Sequence, residues 1–340
     1  MNVHALKECI IENEKFIPLI LESVGFTDID GSFGQGNEYR CAWDDGSNPT
    51  AVRVRKDTLS ANYFTKGLKG DLISLVQERK ELTFPNALKL IKKIIKFEDY
   101  EDVEVKLPFS GFFNEVLNTS DDSFAELETY SESILDDYLI MPSKMFLKDG
   151  ISYDIQEKYK VFYDVMTDRI GVPWRSLSGD IVGLMGRLNR NDIEEYESKW
   201  FPIIPFPKSK TIFGFSENYS SIQSESLLFL GESEKFPMQL SSHGVDLGLA
   251  LGGNTMSQFQ ANNIKSLFAK RIIVMLDEGL DEEISIEMVN QLKIDSLFKN
   301  EVLYIYDREN RYLPKGSKMS PSDLPKNQFR KLITECSRKI

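Results

Sequence analysis

The sequence predicts a mixed chain: a small α+β domain, an acidic linker, and a longer region that ends in an α/β domain with a mostly parallel sheet. Three observations carry this. Short strands and apolar-faced helices fill the first 97 residues. Residues 98–137 hold 13 Asp/Glu and one Lys, and like-charge repulsion keeps such a segment extended. From about residue 226 the apolar runs LLFL, VDLGLAL, RIIVML and EVLYIY alternate with helix-like stretches, the pattern of strands that run parallel with helices on their faces.

Taken in order, residues 2–25 read as one amphipathic helix with Leu6, Ile10, Phe16, Leu19 and Val24 near one side. EYRCAW, AVRVRK and SANYFT read as strands, the second with strict alternation, and DDGSNP as the turn between the first two. Asp71 is placed to cap a helix through Leu72, Ile73 and Val76. Leu82–Lys96 sets Ala87, Leu88, Ile91, Ile94 and Ile95 opposite Lys89, Lys92, Lys93 and Lys96. Residues 131–222 mix a helical start with strands such as DIVGLMGRL. The expected units are 1–97, a linker over 98–130, 131–225 and 226–340.

Composition narrows the function. No run of about 18 or more uncharged apolar residues occurs, so no membrane span is expected. The N-terminus has no apolar signal region, and Cys9, Cys41 and Cys336 lie far apart, which together suit a reducing cytoplasm. Two histidines rule out a site built mainly on imidazole. Net charge is −12, yet residues 51–96 carry 11 Lys/Arg against 4 Asp/Glu. That local excess is either a nucleic-acid surface or a set of solvated faces.

The chemistry concentrates at strand ends. FLGESEKFPMQL places Glu232 after a buried strand and before a helix, and RIIVMLDEG places Asp277 in the same way. Acids at the carboxyl ends of successive sheet strands can hold a divalent metal over the sheet edge. A single acid there can instead face a helix N-terminus. For Glu232 and Asp277 together the metal reading is preferred; for Asp281 and Asp323 both readings stand.

In order and spacing, three segments resemble the bacterial DnaG-type DNA primases and their phage relatives. YRCAWDDGSNPTAVRV, with NYFTKGLKGDLISLVQERKELTFPNALKLI, resembles the family's zinc-binding domain. Of its three cysteines and a histidine only Cys41 remains; Asp44, Tyr63 and Lys66 stand at the other positions. Lys and Tyr are poor zinc ligands, so the expectation is a degenerate zinc-ribbon-like domain with no zinc, held by packing. DRIGVPWRSLSGDIVGLMGRL, with KWFPIIPFPKSKTIFGF, resembles the N-terminal part of the catalytic core. By that resemblance Arg169, Arg187 and Lys208 line a groove for template or nucleotide phosphates, with Lys199 beside Trp200 a further candidate. The last segment resembles the TOPRIM domain. There Glu232 matches the invariant glutamate and Asp277 the first acid of an Asp-x-Asp motif, while Phe236, Gly279 and Met319 replace acids. Glu278 or Asp281 can substitute for the second acid, and Asp323 retains a further one.

The resemblance implies a DNA primase that joins NTPs into short RNA primers on single-stranded DNA with Mg²⁺ or Mn²⁺. Glu232 and Asp277 are its catalytic residues, and Glu232, Asp277, Asp323, Asp281 and Glu278 its candidate metal ligands. Whether Glu232 serves as ligand or general base stays open. A replicative helicase is an implied partner, and the host cytoplasm the implied place if the chain is phage-encoded. The alternative is a replication accessory or ssDNA-binding protein that keeps the fold and has lost the chemistry.

Overall fold

The computed structural model describes residues 3–45, 47–97, 127–190, 198–295 and 298–340. Most of the expected acidic linker, 98–126, lies outside the described residues. The remainder forms three five-stranded sheets.

The first sheet is an antiparallel meander of β1 (Thr27–Phe33), β2 (Glu38–Ala42), β3 (Val52–Arg55), β4 (Ser60–Tyr63) and β5 (Leu68–Asp71). Alternation explains its two faces: Cys41, Val52, Val54, Ala61 and Tyr63 are buried, and Arg40, Arg53 and Asn62 pair in register on the other side. Helices α1 (Val3–Glu12), α2 (Phe16–Val24), α3 (Leu72–Lys80) and α4 (Phe84–Ile95) cover the inner face. The single helix expected over residues 2–25 is therefore two. The chain turns at Asn13–Lys15, where the amides of Phe16 and Ile17 bond back to Asn13 and Glu14, and Leu19 turns out to be 41% exposed. Asp71 caps α3 as expected, accepting from the Ser74 amide at 2.9 Å.

The second sheet, also antiparallel, runs in the order β10 (Trp200–Ile204), β9 (Ile181–Leu188), β8 (Arg169–Arg175), β7 (Phe162–Asp164), β6 (Leu139–Ile140). Every residue of β9 is buried. Gly183 lets Phe206 lie against that strand: a Cβ there would stand 2.1 Å from the ring. Two short helices, α5 (Lys144–Lys148) and α6 (Tyr153–Lys158), precede β7.

The third sheet has the order β12 (Gly248–Ala250), β11 (Leu227–Gly231), β13 (Arg271–Val274), β14 (Glu301–Ile305), β15 (Ser337–Arg338), parallel except for β15. This is the expected parallel sheet. Helices α7 (Phe215–Glu225), α8 (Lys235–Ser242), α9 (Gln258–Lys265), α10 (Glu282–Leu292) and α11 (Lys326–Cys336) connect or flank its strands. One hydrophobic cluster runs from Val3 through the first sheet and α7 to Cys336, so the first and third sheets share a core. At that junction Lys7 Nζ lies 2.8 Å from Asp71 Oδ2 within the first unit, both 1% exposed, and the Tyr219 hydroxyl on α7 donates to the same carboxylate. Among the described residues no helix is long and apolar enough to cross a membrane.

Candidate functional site

β11 sits between β12 and β13, so the chain leaves its carboxyl end to one side and returns on the other. Such a reversal opens a crevice beyond the strand ends. Glu232 follows β11 directly, and Asp277 lies three residues past β13. Gly231 allows the tight exit from β11 into Glu232, because Phe236 fills the space a Cβ would need, with its ring at 2.3 Å from that point. Phe236 is fully buried, so the residue at the missing acid's position is a core side chain.

Burial pushes the Glu232 carboxyl above its ordinary value, and the charge of Asp277 adds to this. Burial likewise raises Asp277; a Ser320 hydrogen bond and Lys235 act against the rise, and Asp323 adds to it. Asp277 Oδ1 is buried and has no hydrogen-bond partner among the described residues.

The other candidate acids are placed differently. Asp323 Oδ2 accepts from the Ser320 amide at 2.9 Å, and its Oδ1 from Gln239 Nε2 at 2.8 Å. Glu278 accepts from the amides of Gly316 and Lys318 at 2.9 and 3.0 Å, which hold its carboxyl below the ordinary value, and so pins the 314–319 loop. Asp281 stands exposed at the start of α10 with no side-chain cap bond. The charge of Asp277 acts on Glu232 and that of Asp323 on Asp277, so these three lie near one another, while Glu278 is engaged by the 314–319 loop and Asp281 stands exposed. Among the described residues no group of three or more His, Cys, Asp or Glu is arranged to hold a metal ion.

Of the predicted basic residues, Arg187 and Lys199 lie toward Asp149, Lys235 and Asp323, and Lys208 reaches the Gly252 carbonyl at 3.5 Å, whose own amide bonds the Glu232 carbonyl. Arg187, on β9, is 3% exposed, rests against the Met145 sulfur and lies 3.9 Å from Asp149 Oδ2. Burial lowers its guanidinium from the ordinary value, with Asp149 opposing. Lys199 is lowered by burial and by repulsion from Arg187 and Lys235. Arg169 folds over Phe201 and donates to the carbonyls of Gly186 and Ser198 at 3.1 and 3.2 Å. Lys208 lies over the Trp174 ring, 3.5 Å from buried Glu234 Oε1. These last two are held by their own neighbours.

Sequence reasoning missed the residues that join groove to crevice. Lys235 Nζ is 3.5 Å from both Asp149 Oδ2 and Asp323 Oδ1. Gln239 Nε2 donates to the Asp149 carbonyl at 2.7 Å. It also missed an exposed row on the first sheet, where Arg40 lies over Phe33 and Phe64, and Arg53 over Phe64, at 5.2 to 5.9 Å. The alternation of VRVR was the available signal for that face.

The positions that resemble a zinc site are engaged with each other. Trp43 and Tyr63 stack at 4.3 Å and 6°, with Lys66 and Arg79 over the indole at 5.6 and 5.3 Å. Asp44 pairs with Arg79 at 2.9 Å. Burial pushes the Cys41 thiol up to about 12.

No family model matches the sequence. A curated protein that does, the SPbeta prophage-derived uncharacterized protein YorJ of Bacillus subtilis (strain 168), is 20% identical over 163 residues. That match spans 45% of this chain and 43% of YorJ, less than half its length. Solved structures that this chain resembles include DnaG-type primases. The Aquifex aeolicus primase (zinc-binding and RNA polymerase domains) has a TM-score of 0.47 and 18% identity, over all of this chain and 87% of that one. A DnaG catalytic core gives 0.44 and 16% over 57% of this chain and 72% of that one. The DnaG primase catalytic domain bound to ssDNA gives 0.43 and 17% over 57% and 71%.

Proposed function

We propose that this is a primase-like protein that holds single-stranded DNA along Arg187 and Lys199 and joins NTPs into short RNA primers at the adjoining crevice. The observation that supports this best is the convergence of buried Arg187 with Glu232, Asp277 and Asp323 through Asp149 and Lys235. Guanidinium and ammonium groups fix a phosphate backbone without reading sequence. The unpartnered Asp277 Oδ1 and the Glu232 carboxyl raised by burial and by Asp277 fit a divalent cation, which two carboxylates plus substrate phosphates can hold. When bound, Mg²⁺ or Mn²⁺ would supply charge neutralisation of the triphosphate at Glu232 and Asp277. The raised Glu232 carboxyl is also suited to accept the proton of the attacking 3′-hydroxyl. The units 1–97, 98–130, 131–225 and 226–340, a cytoplasmic location and a helicase partner belong to the same reading.

A second reading rests on its own observation. Lys235 already neutralises Asp149 and Asp323, and no three-ligand group exists among the described residues. That favours an ssDNA-binding accessory protein without synthesis. Incubation with single-stranded template, labelled NTPs and Mn²⁺ separates the two. Extended products that vanish in Glu232→Gln and Asp277→Asn support the primase reading. Template binding with no product under Mg²⁺ or Mn²⁺ leaves only the accessory reading.

A further inference from the structure

Lys235 lies in the first turn of α8, three residues after Glu232, and its side chain is only 18% exposed. Its Nζ is equidistant, at 3.5 Å, from Asp149 Oδ2 and Asp323 Oδ1. Asp323 is anchored by other bonds, whereas Asp149 Oδ2 is buried with no hydrogen-bond partner among the described residues and has only cations beside it. Asp323 is bonded by the Ser320 amide and Gln239, Gln239 accepts from Ser322 Oγ at 2.6 Å, and its amide reaches the Asp149 carbonyl. Arg187 closes on Asp149 from β9. The ammonium therefore occupies a seat between two carboxylates that come from segments far apart in the chain, one of them with a buried oxygen that no hydrogen bond satisfies. A lysine left to solvent would not be so confined.

We propose that Lys235 is the resident cation of this site. Its ammonium fills the seat between Asp149 and Asp323, confines divalent-ion binding to Glu232 and Asp277, and ties the groove arginine to the crevice. The inference rests on the metal reading of Glu232 and Asp277. Its physical basis is simple: a fixed positive charge beside a divalent ion opposes that ion's binding, and the opposition disappears when the charge is removed.

The test is Mn²⁺ binding to the full-length chain, followed by the EPR signal of the free ion, without DNA or nucleotide. Wild type is expected to bind one ion. Lys235→Met, which keeps the aliphatic stem, is expected to take up a second ion or to bind about tenfold more tightly. Adding Asp323→Asn removes that gain, and Lys235→Arg keeps wild-type binding. Should Lys235→Met not fold, Lys235→Gln serves in its place. Unchanged number and affinity in the uncharged variant overturn the proposal, even where wild type binds its one ion and the metal reading stands. An ion bound by the variant and not by wild type supports the resident cation and rejects metal binding by Glu232 and Asp277 in the native chain. No Mn²⁺ uptake by either overturns both.

Discussion

Around Cys41 in the first sheet, the positions that resemble a zinc site are packed as a stack of rings; at the edge of the third sheet, a lysine ammonium stands between two carboxylates. Trp43 and Tyr63 lie face to face within a cluster of buried apolar residues, with Lys66 and Arg79 over the indole from its rim. Beside Glu232, Phe236 has joined the core while Lys235 stands between Asp149 and Asp323. The contrast follows from what each metal would do. A structural ion ties chain segments together, and buried aromatic area with cation–π contacts can do the same. An ion that meets a triphosphate must carry charge into a half-open crevice, which packing cannot supply.

The largest expected effect tests the first half of this comparison. Trp43→Ala removes the indole from between Tyr63, Phe26, Lys66 and Arg79 and should cost about 3–5 kcal/mol in denaturant unfolding. A loss under about 1 kcal/mol would mean the stack is not what holds the domain.

The junction between first and third sheets comes next. Lys7→Met leaves Asp71 charged and buried, and should cost about 3 kcal/mol at neutral pH. Burial alone would raise the Asp71 carboxyl, but Lys7, Tyr219 and Ser74 together hold it below the ordinary carboxylate value. A carboxylate held low contributes stability above its unfolded pKa and loses it as pH falls through the folded one. Wild type should therefore hold this term from neutral pH down to the ordinary carboxylate range and lose it in stronger acid. The stability gap to Lys7→Met should narrow over that same acid range, and a gap constant down to strong acid would contradict the assignment.

Groove and crevice give smaller effects of opposite sign. Arg187→Ala should weaken binding of single-stranded DNA at low salt by about 10- to 150-fold, measured by fluorescence anisotropy, since a charge-assisted phosphate contact contributes about 1.5–3 kcal/mol. Asp277→Asn should abolish synthesis and yet raise stability at pH 8 by about 1 kcal/mol, as relief of a strained functional site commonly does. The sign follows from Asp277's raised carboxyl: its charged form opposes folding above the folded pKa and ceases to do so as pH falls below it. The gain should vanish in acid, and a stability loss at pH 8 would show that Asp277 is structural.

Much of the fold could be read from local pattern. Strict alternation marked β3, and apolar runs followed by acids marked β11, β13 and β14 and the two ends that carry Glu232 and Asp277. Asp71 was readable as a cap because the capping bond spans three residues. β1 was missed because TDIDGSF has no apolar face and is half exposed, so only pairing with β2 makes it a strand. The break at Asn13–Lys15 was hidden by apolar residues that keep a helical period through it. Lys235, Asp149 and Gln239 escaped notice because their contacts join segments roughly 85 positions apart. Tertiary proximity of that kind leaves no local periodicity to read.

Chelation with EDTA, followed in one sample by thermal unfolding and by template-dependent incorporation of labelled NTPs after Mn²⁺ is supplied or withheld, tests the central contrast most directly. The account predicts an unfolding temperature unchanged by EDTA, because rings and ion pairs hold the first domain, and synthesis that stops without the divalent ion. A melting temperature that falls by several degrees on chelation, or synthesis that persists in EDTA, would contradict it.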